Sequence, residues 1–200
     1  MTLIDELLAE LGDPGLEQIA GMLGTDTATA RAVIQAATGT VVAGMARGAD
    51  HPEGAEALRG ALDDHADADP FNGDVASLMR DGQNILAHVL GTQGTEYAAE
   101  GLARFSGVDE GALLKVLPLL APMIMSLLAD RAARQDMDTD TMTGELRRER
   151  SATSSGLEDL IAPILGDIFG DSSVPARSGV VEPRAGAEQQ AARGAQNPDW

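Results

Sequence analysis

Apolar side chains recur along this chain at intervals of three and four. Leu3, Ile4, Leu7, Leu8 and Leu11 share one helical face, and Gly12 closes the segment. Asp13-Pro14 opens a second helix, with the aspartate as N-cap and the proline at the first helical position, where a missing N–H costs nothing. Leu16, Ile19, Ala20 and Leu23 form its apolar face, and Gly24 ends it. Thr25 or Asp26 caps a longer helix whose inner stripe reads Ala30, Ile34, Ala37, Val41 and Met45. The next begins near Pro52 and runs to Leu62 through Ala55, Leu58 and Ala61.

From Asp63 to Asp74 the chain is acidic and holds Pro70 and Gly73, which predicts a loop. Helical patterning returns in two stretches, Val75–Met79 and Ile85–Leu90, and again over Tyr97–Phe105 before Ser106-Gly107. Asp109 caps the most apolar helix, Leu113 to Leu128. A proline inside a helix removes a backbone bond and costs about 3 kcal/mol. Pro118 and Pro122 therefore predict a kink or a break there, held in place by packing. A short polar helix is expected around Thr141–Arg150. Ser155-Gly156-Leu157-Glu158 has the form of a capping box that opens a last helix, Leu157 to Phe169.

Composition sharpens this pattern into a fold class. Hydrophobic residues make up 44% of the chain while aromatics are only 2%, so the core is built of Ala, Leu, Val, Ile and Met. Such side chains pack between helices, and a large sheet would call for more aromatic and β-branched residues. The expectation is an all-α, compact multi-helix bundle over residues 1–170, followed by a flexible tail over 171–200 that lacks apolar periodicity. An internal repeat is also expected, with units at about 1–62 and 81–150. A shift of 83 residues lays Glu17, Ala20, Gly24, Asp26, Val33 and Ala46 on Glu100, Ala103, Gly107, Asp109, Val116 and Ala129.

The net charge is −18 and Lys115 is the only lysine. Phosphate backbones and anionic membrane surfaces are bound by clustered cations, so neither nucleic acid nor such a membrane is an expected partner. Arg147, Arg148 and Arg150 come nearest to a cluster, and Glu149 interrupts them. The apolar run Val116–Ala129 spans 14 residues, short of the roughly 20 that a membrane span needs. There is no cysteine, and Asp5, Glu6 and Glu10 stand where a signal peptide would carry basic residues. A cytoplasmic protein is expected.

The search for chemistry yields no catalytic, cofactor-binding or metal-binding residues. His51, His65 and His88 lie far apart in sequence. His65, among Asp63, Asp64, Asp67 and Asp69, forms the only cluster worth testing, and its spacing fails the calcium-loop pattern. Asp136, Asp138 and Asp140 alternate like calcium ligands but lack the glycine and the closing glutamate. Nucleophile elbows, phosphate-binding glycine loops and dinucleotide fingerprints are absent. Met123, Met125 and Met137 either fill the core or line an adaptable groove.

One region carries a resemblance. Ile85-Leu86-Ala87-His88-Val89-Leu90-Gly91, Gly101-Leu102, Ser106-Gly107-Val108-Asp109 and Leu117-Pro118-Leu119-Leu120-Ala121-Pro122 are similar to the YidB-like family of bacterial helical proteins, a domain of unknown function. The similarity is strongest over residues 80–130. It implies an all-α fold and a bacterial origin, and it brings no catalytic residues.

Two functions remain open on these grounds. One is a non-enzymatic interaction or assembly protein, with a protein partner or a second copy of itself. The alternative is a small-molecule or lipid binder with an apolar pocket beside the helix 113–128, lined by Met123, Met125 and Leu128.

Overall fold

The computed structural model describes residues 1–65, 70–71, 74–91 and 93–170, and of residues 153–160 the backbone alone. The segment 171–200, expected as a tail, lies outside the described residues. All regular structure among those described is helical: α1 (Leu3–Leu23), α2 (Thr27–Gly48), α3 (Pro52–His65), α4 (Val75–Leu90), α5 (Gly94–Ser106), α6 (Glu110–Arg134) and α7 (Thr139–Phe169).

Caps and breaks coincide closely with the predicted residues. Gly12 leaves the helical region at φ 57° and divides α1, with Pro14 just beyond it. Gly24 ends α1 in the left-handed conformation, and Asp26 caps α2 by accepting from the Thr29 N–H at 2.9 Å. The same pair recurs 83 positions on. Gly107 ends α5 with φ 71°, and Asp109 caps α6 by accepting from the Ala112 N–H at 3.0 Å.

Three expected boundaries are absent. Val75–Met79 and Ile85–Leu90 belong to one helix, α4, in which Gly82 between them is a buried packing residue. Thr141–Arg150 and Leu157–Phe169 are likewise one helix, α7. Ser155 lies inside it, so the capping-box sequence does not start a helix. The third concerns α6, which runs on from Glu110 to Arg134 with Pro118 and Pro122 both inside it. Its prolines leave the carbonyls of Leu114 and Pro118 without their usual donors, and neighbouring elements pack over the helix without a break.

Two helices form the centre. On α6 the buried residues include Leu113, Leu117, Leu120, Ile124 and Leu128, and on α2 every residue from Ala36 to Ala46 is buried. A helix enclosed on all sides must satisfy its own polar side chains. Thr38 and Thr40 do so by donating to the carbonyls of Ile34 (2.7 Å) and Ala36 (2.9 Å). The outer helices pack reciprocally around this pair: α1 lies on α2 and α6, α5 on α6 and α2, α7 along α2, and α3 along α6. A single apolar cluster runs through them from Leu3 to Ile164.

By length and hydropathy α6 could cross a membrane, since at 25 residues it extends past its apolar centre at both ends. In this fold 72% of its most apolar window is buried against the other helices.

Candidate functional site

Two features stand out from the packed core, one ionic and one apolar. The ionic one centres on Arg131, near the C-terminal end of α6. Its residue position continues the apolar stripe Leu120, Ile124, Leu128, so the packing that buries those leucines buries the guanidinium too, to 5% exposure. Its Nη1 donates to Glu149 Oε1 at 2.6 Å and to Glu145 Oε1 at 3.0 Å, both on α7. Nη2 lies 2.9 Å from Glu6 Oε1 on α1. Burial works against the charged guanidinium, but its hydrogen bonds to Glu149 and Glu6, and their charges, outweigh it and hold Arg131 above its usual range. Glu149 also reaches the start of α1, where its Oε2 accepts from the Leu3 N–H at 3.0 Å. That oxygen meets a helix N-terminus, where a negative charge is favoured. Three helices are thus tied by one arginine and three glutamates.

Sequence reasoning missed this cluster, although the chain carries a trace of it. Arg131 comes three residues after Leu128, and Glu149 three after Leu146. Each is a charge placed on an apolar stripe, and the two are opposite in sign. The basic run around Glu149 is also explained: Arg147 pairs with Asp50 (2.7 Å), Arg148 with Glu145 (3.4 Å), and Glu149 points inward. These are architectural contacts.

The apolar feature is a groove of about 330 Å³ between α2, α3 and α4. Gly44, Met45, Gly48 and Ala49 of α2 and the turn beyond it form one wall, Gly54, Ala57, Leu58 and Ala61 of α3 a second, and Asn84, Ile85, His88 and Val89 of α4 a third, with Met125 of α6 beneath. Small residues make the space. A side chain at Gly44 would collide with Val89 Cγ1 at 2.7 Å and Leu90 Cδ2 at 2.8 Å, so α2 and α4 can cross this closely only with glycine there. Ala57, Asn84 and His88 are exposed at the mouth.

This arrangement alters the expected pocket. Of Met123, Met125 and Leu128, only Met125 reaches the groove. Leu128 is fully buried in the core and Met123 packs against it half-buried, because the predicted pocket face of α6 is covered by other helices. Met137 and Met142 fill the core as well.

The remaining candidates are scattered. His51 precedes α3 and is exposed, while His65 ends α3 with its Nδ1 2.7 Å from the Ala61 carbonyl oxygen. Asp63 pairs with Arg59 at 3.2 Å, whereas Asp67 and Asp69 lie outside the described residues. Asp138 is the N-cap of α7, accepting from the Thr141 N–H at 2.8 Å, and Asp136 takes a positive φ of 46° in the turn before it. Among the described residues no three His, Asp or Glu side chains come together to hold a metal.

No curated protein and no solved structure matches this chain. A family model described as "Bacterial protein of unknown function (DUF937)" matches residues 5–131, which takes in α1 to α5 and nearly all of α6. YidB belongs to that family, so the resemblance and the match agree. The chain, with its α2–α3–α4 groove and its Arg131 cluster, belongs to this bacterial family of unknown function.

Proposed function

We propose that this is a non-enzymatic interaction protein whose working surface is the α2–α3–α4 groove. The observation that carries the reading is the lining, in which aliphatic side chains and glycine backbone bound the space and, among the described residues, Asn84 and His88 are the only polar side chains. Among the described residues no carboxylate, hydroxyl or second basic group lines the groove beside His88, so this lining is suited to burying apolar surface. Burying one aliphatic side chain there would contribute about 1.5–3 kcal/mol. The occupant is an apolar protein segment, and self-association is one form of that interaction. The cysteine-free composition fits a cytoplasmic setting. The repeated glycine turn and aspartate cap, at Gly24-Asp26 and Gly107-Asp109, support a duplicated helical unit as the origin of the bundle.

One observation favours a small apolar ligand as a second reading. The groove's volume falls at the lower end of the roughly 300–1,000 Å³ typical of ligand pockets. Asn84 and His88, one turn apart on α4, could hold a polar end.

The test uses the full-length protein and a neutral apolar fluorophore, N-phenyl-1-naphthylamine. Ala57 is exposed, so Ala57→Trp fills the groove without opening the core. Saturable binding at one site per chain, weakened at least about tenfold by Ala57→Trp with unchanged helical circular dichroism, is the expected result. Equal binding by both proteins would place the fluorophore elsewhere and defeat the reading. Light scattering from micromolar to near-millimolar protein tells whether a second copy is the partner.

A further inference from the structure

We infer that the groove's resident occupant is a segment of the same chain, Ser178-Gly179-Val180-Val181-Glu182-Pro183. The inference rests on the groove being a binding surface, as proposed above. Three observations lead to it.

The first is where the fold ends. Phe169 is the last residue of α7, and the Arg47 guanidinium lies over its ring at 4.7 Å from the centroid. Arg47 is the residue before Gly48, which lines one wall of the groove. Ile168 reaches the neighbourhood of Gly94 and Leu90, and Leu90 is the residue after Val89, which lines the opposite wall. The end of α7 therefore packs against Arg47 and beside Leu90, each next in sequence to a groove-lining residue.

The second is the sequence beyond that exit. Val180-Val181 is the only pair of adjacent branched aliphatic residues after Gly170. It stands ten residues past Gly170, a length that spans up to roughly 33–36 Å when extended. The two valines are small enough for a cleft walled by Gly48, Gly54, Ala57 and Ala61.

The third is charge. Arg177 and Arg184 stand three residues to either side of the valines and outnumber the one acid between them, Glu182, while α3 presents the exposed Glu53 and Glu56 beside Ala57. Tethering favours the chain's own segment over a neighbour's. A tether of about ten residues gives an effective concentration of order millimolar, far above any micromolar second copy.

The experiment compares full-length wild type with Val180→Asp/Val181→Asp, and each of these with Ala57→Trp added, by N-phenyl-1-naphthylamine titration. If the segment occupies the groove, the aspartate variant binds the fluorophore about tenfold or more tightly than wild type, and Ala57→Trp abolishes the gain. Arg177→Glu/Arg184→Glu should give a smaller gain that fades in high salt. Equal affinity of wild type and the aspartate variant, with Ala57→Trp still weakening both, overturns the inference and leaves the groove reading intact. No effect of Ala57→Trp in either background overturns both. Light scattering separates the remaining source: a dimer that dissolves with the aspartate substitutions would assign the groove to a neighbouring copy's segment and overturn the intramolecular inference.

Discussion

Gly82 of α4 sits against the carbonyl oxygen of Pro118 in α6, the same carbonyl that Pro122 deprives of its helical donor. The two facts belong together. A proline at i+4 leaves that acceptor unbonded within its own helix, and a glycine on the facing helix lets α4 come close enough to cover it. Any Cβ at position 82 would lie far inside van der Waals contact with that oxygen, against backbone that cannot swing away. Gly82→Ala should therefore destabilise the protein by about 1–3 kcal/mol, the range for overpacking, although alanine is the better helix former. Urea unfolding measures it, and a neutral or stabilising result would show that the two helices can separate without loss.

Arg131 holds three glutamates, so its removal leaves the buried Glu149 and the half-buried Glu6 and Glu145 without the cation they share. Arg131→Met should cost about 3–5 kcal/mol in urea unfolding at neutral pH. Adding Glu149→Met should recover part of that loss, because the carboxylate with the least exposure goes with it. Simple addition of the two single losses would mean that Arg131 and Glu149 act independently.

The centre of the bundle is tested by Leu120, which is 1% exposed on α6. Leu120→Ala should lower stability by about 2–5 kcal/mol, the usual cost of emptying a core leucine. A change under about 0.5 kcal/mol, the size usual for surface substitutions, would mean that this face of α6 is exposed.

Acid should loosen the helix starts. The Asp26 carboxyl is held below its ordinary value of 3.8 by the Thr29 N–H and hydroxyl, and that of Asp138 by Thr141. A carboxylate held down in the folded state binds fewer protons there than in the unfolded chain. Its contribution is complete above pH 3.8 and is lost as the pH falls through the lowered folded values. Thermal melting of wild type should steepen its decline below that pH. Asp26→Asn/Asp138→Asn keeps a capping side chain without the titration, so its acid limb should be flatter. Parallel profiles would rule these caps out as the acid-sensitive element.

Much of the fold was legible because it is encoded locally. Gly12, Gly24, Gly107, Asp26 and Asp109 mark breaks and caps whose geometry depends only on the neighbouring few residues. The misread places depend on what lies opposite. The gap between Val75–Met79 and Ile85–Leu90 closes because Gly82 continues the stripe Leu78, Ile85, Val89 and faces Pro118. Ser155-Glu158 has the spacing of a helix start, yet α7 passes straight through it. Arg131 and Glu149 are explained only by each other, 18 residues apart. The groove was the least legible of all. It arises where α2, α3 and α4 cross, and Met125 was its one wall residue named from the sequence as a pocket residue.

The groove as the working surface is tested most directly through the methionine methyl groups. Met45 and Met125 line it, whereas Met137 and Met142 are buried in the core away from its lining. With carbon-13 in the methionine methyls of the full-length protein, titration with N-phenyl-1-naphthylamine should shift the Met45 and Met125 signals together and saturably, leaving Met137 and Met142 in place. Shifts confined to Met137 and Met142, or none at Met45 and Met125 while the fluorophore binds, would contradict the account.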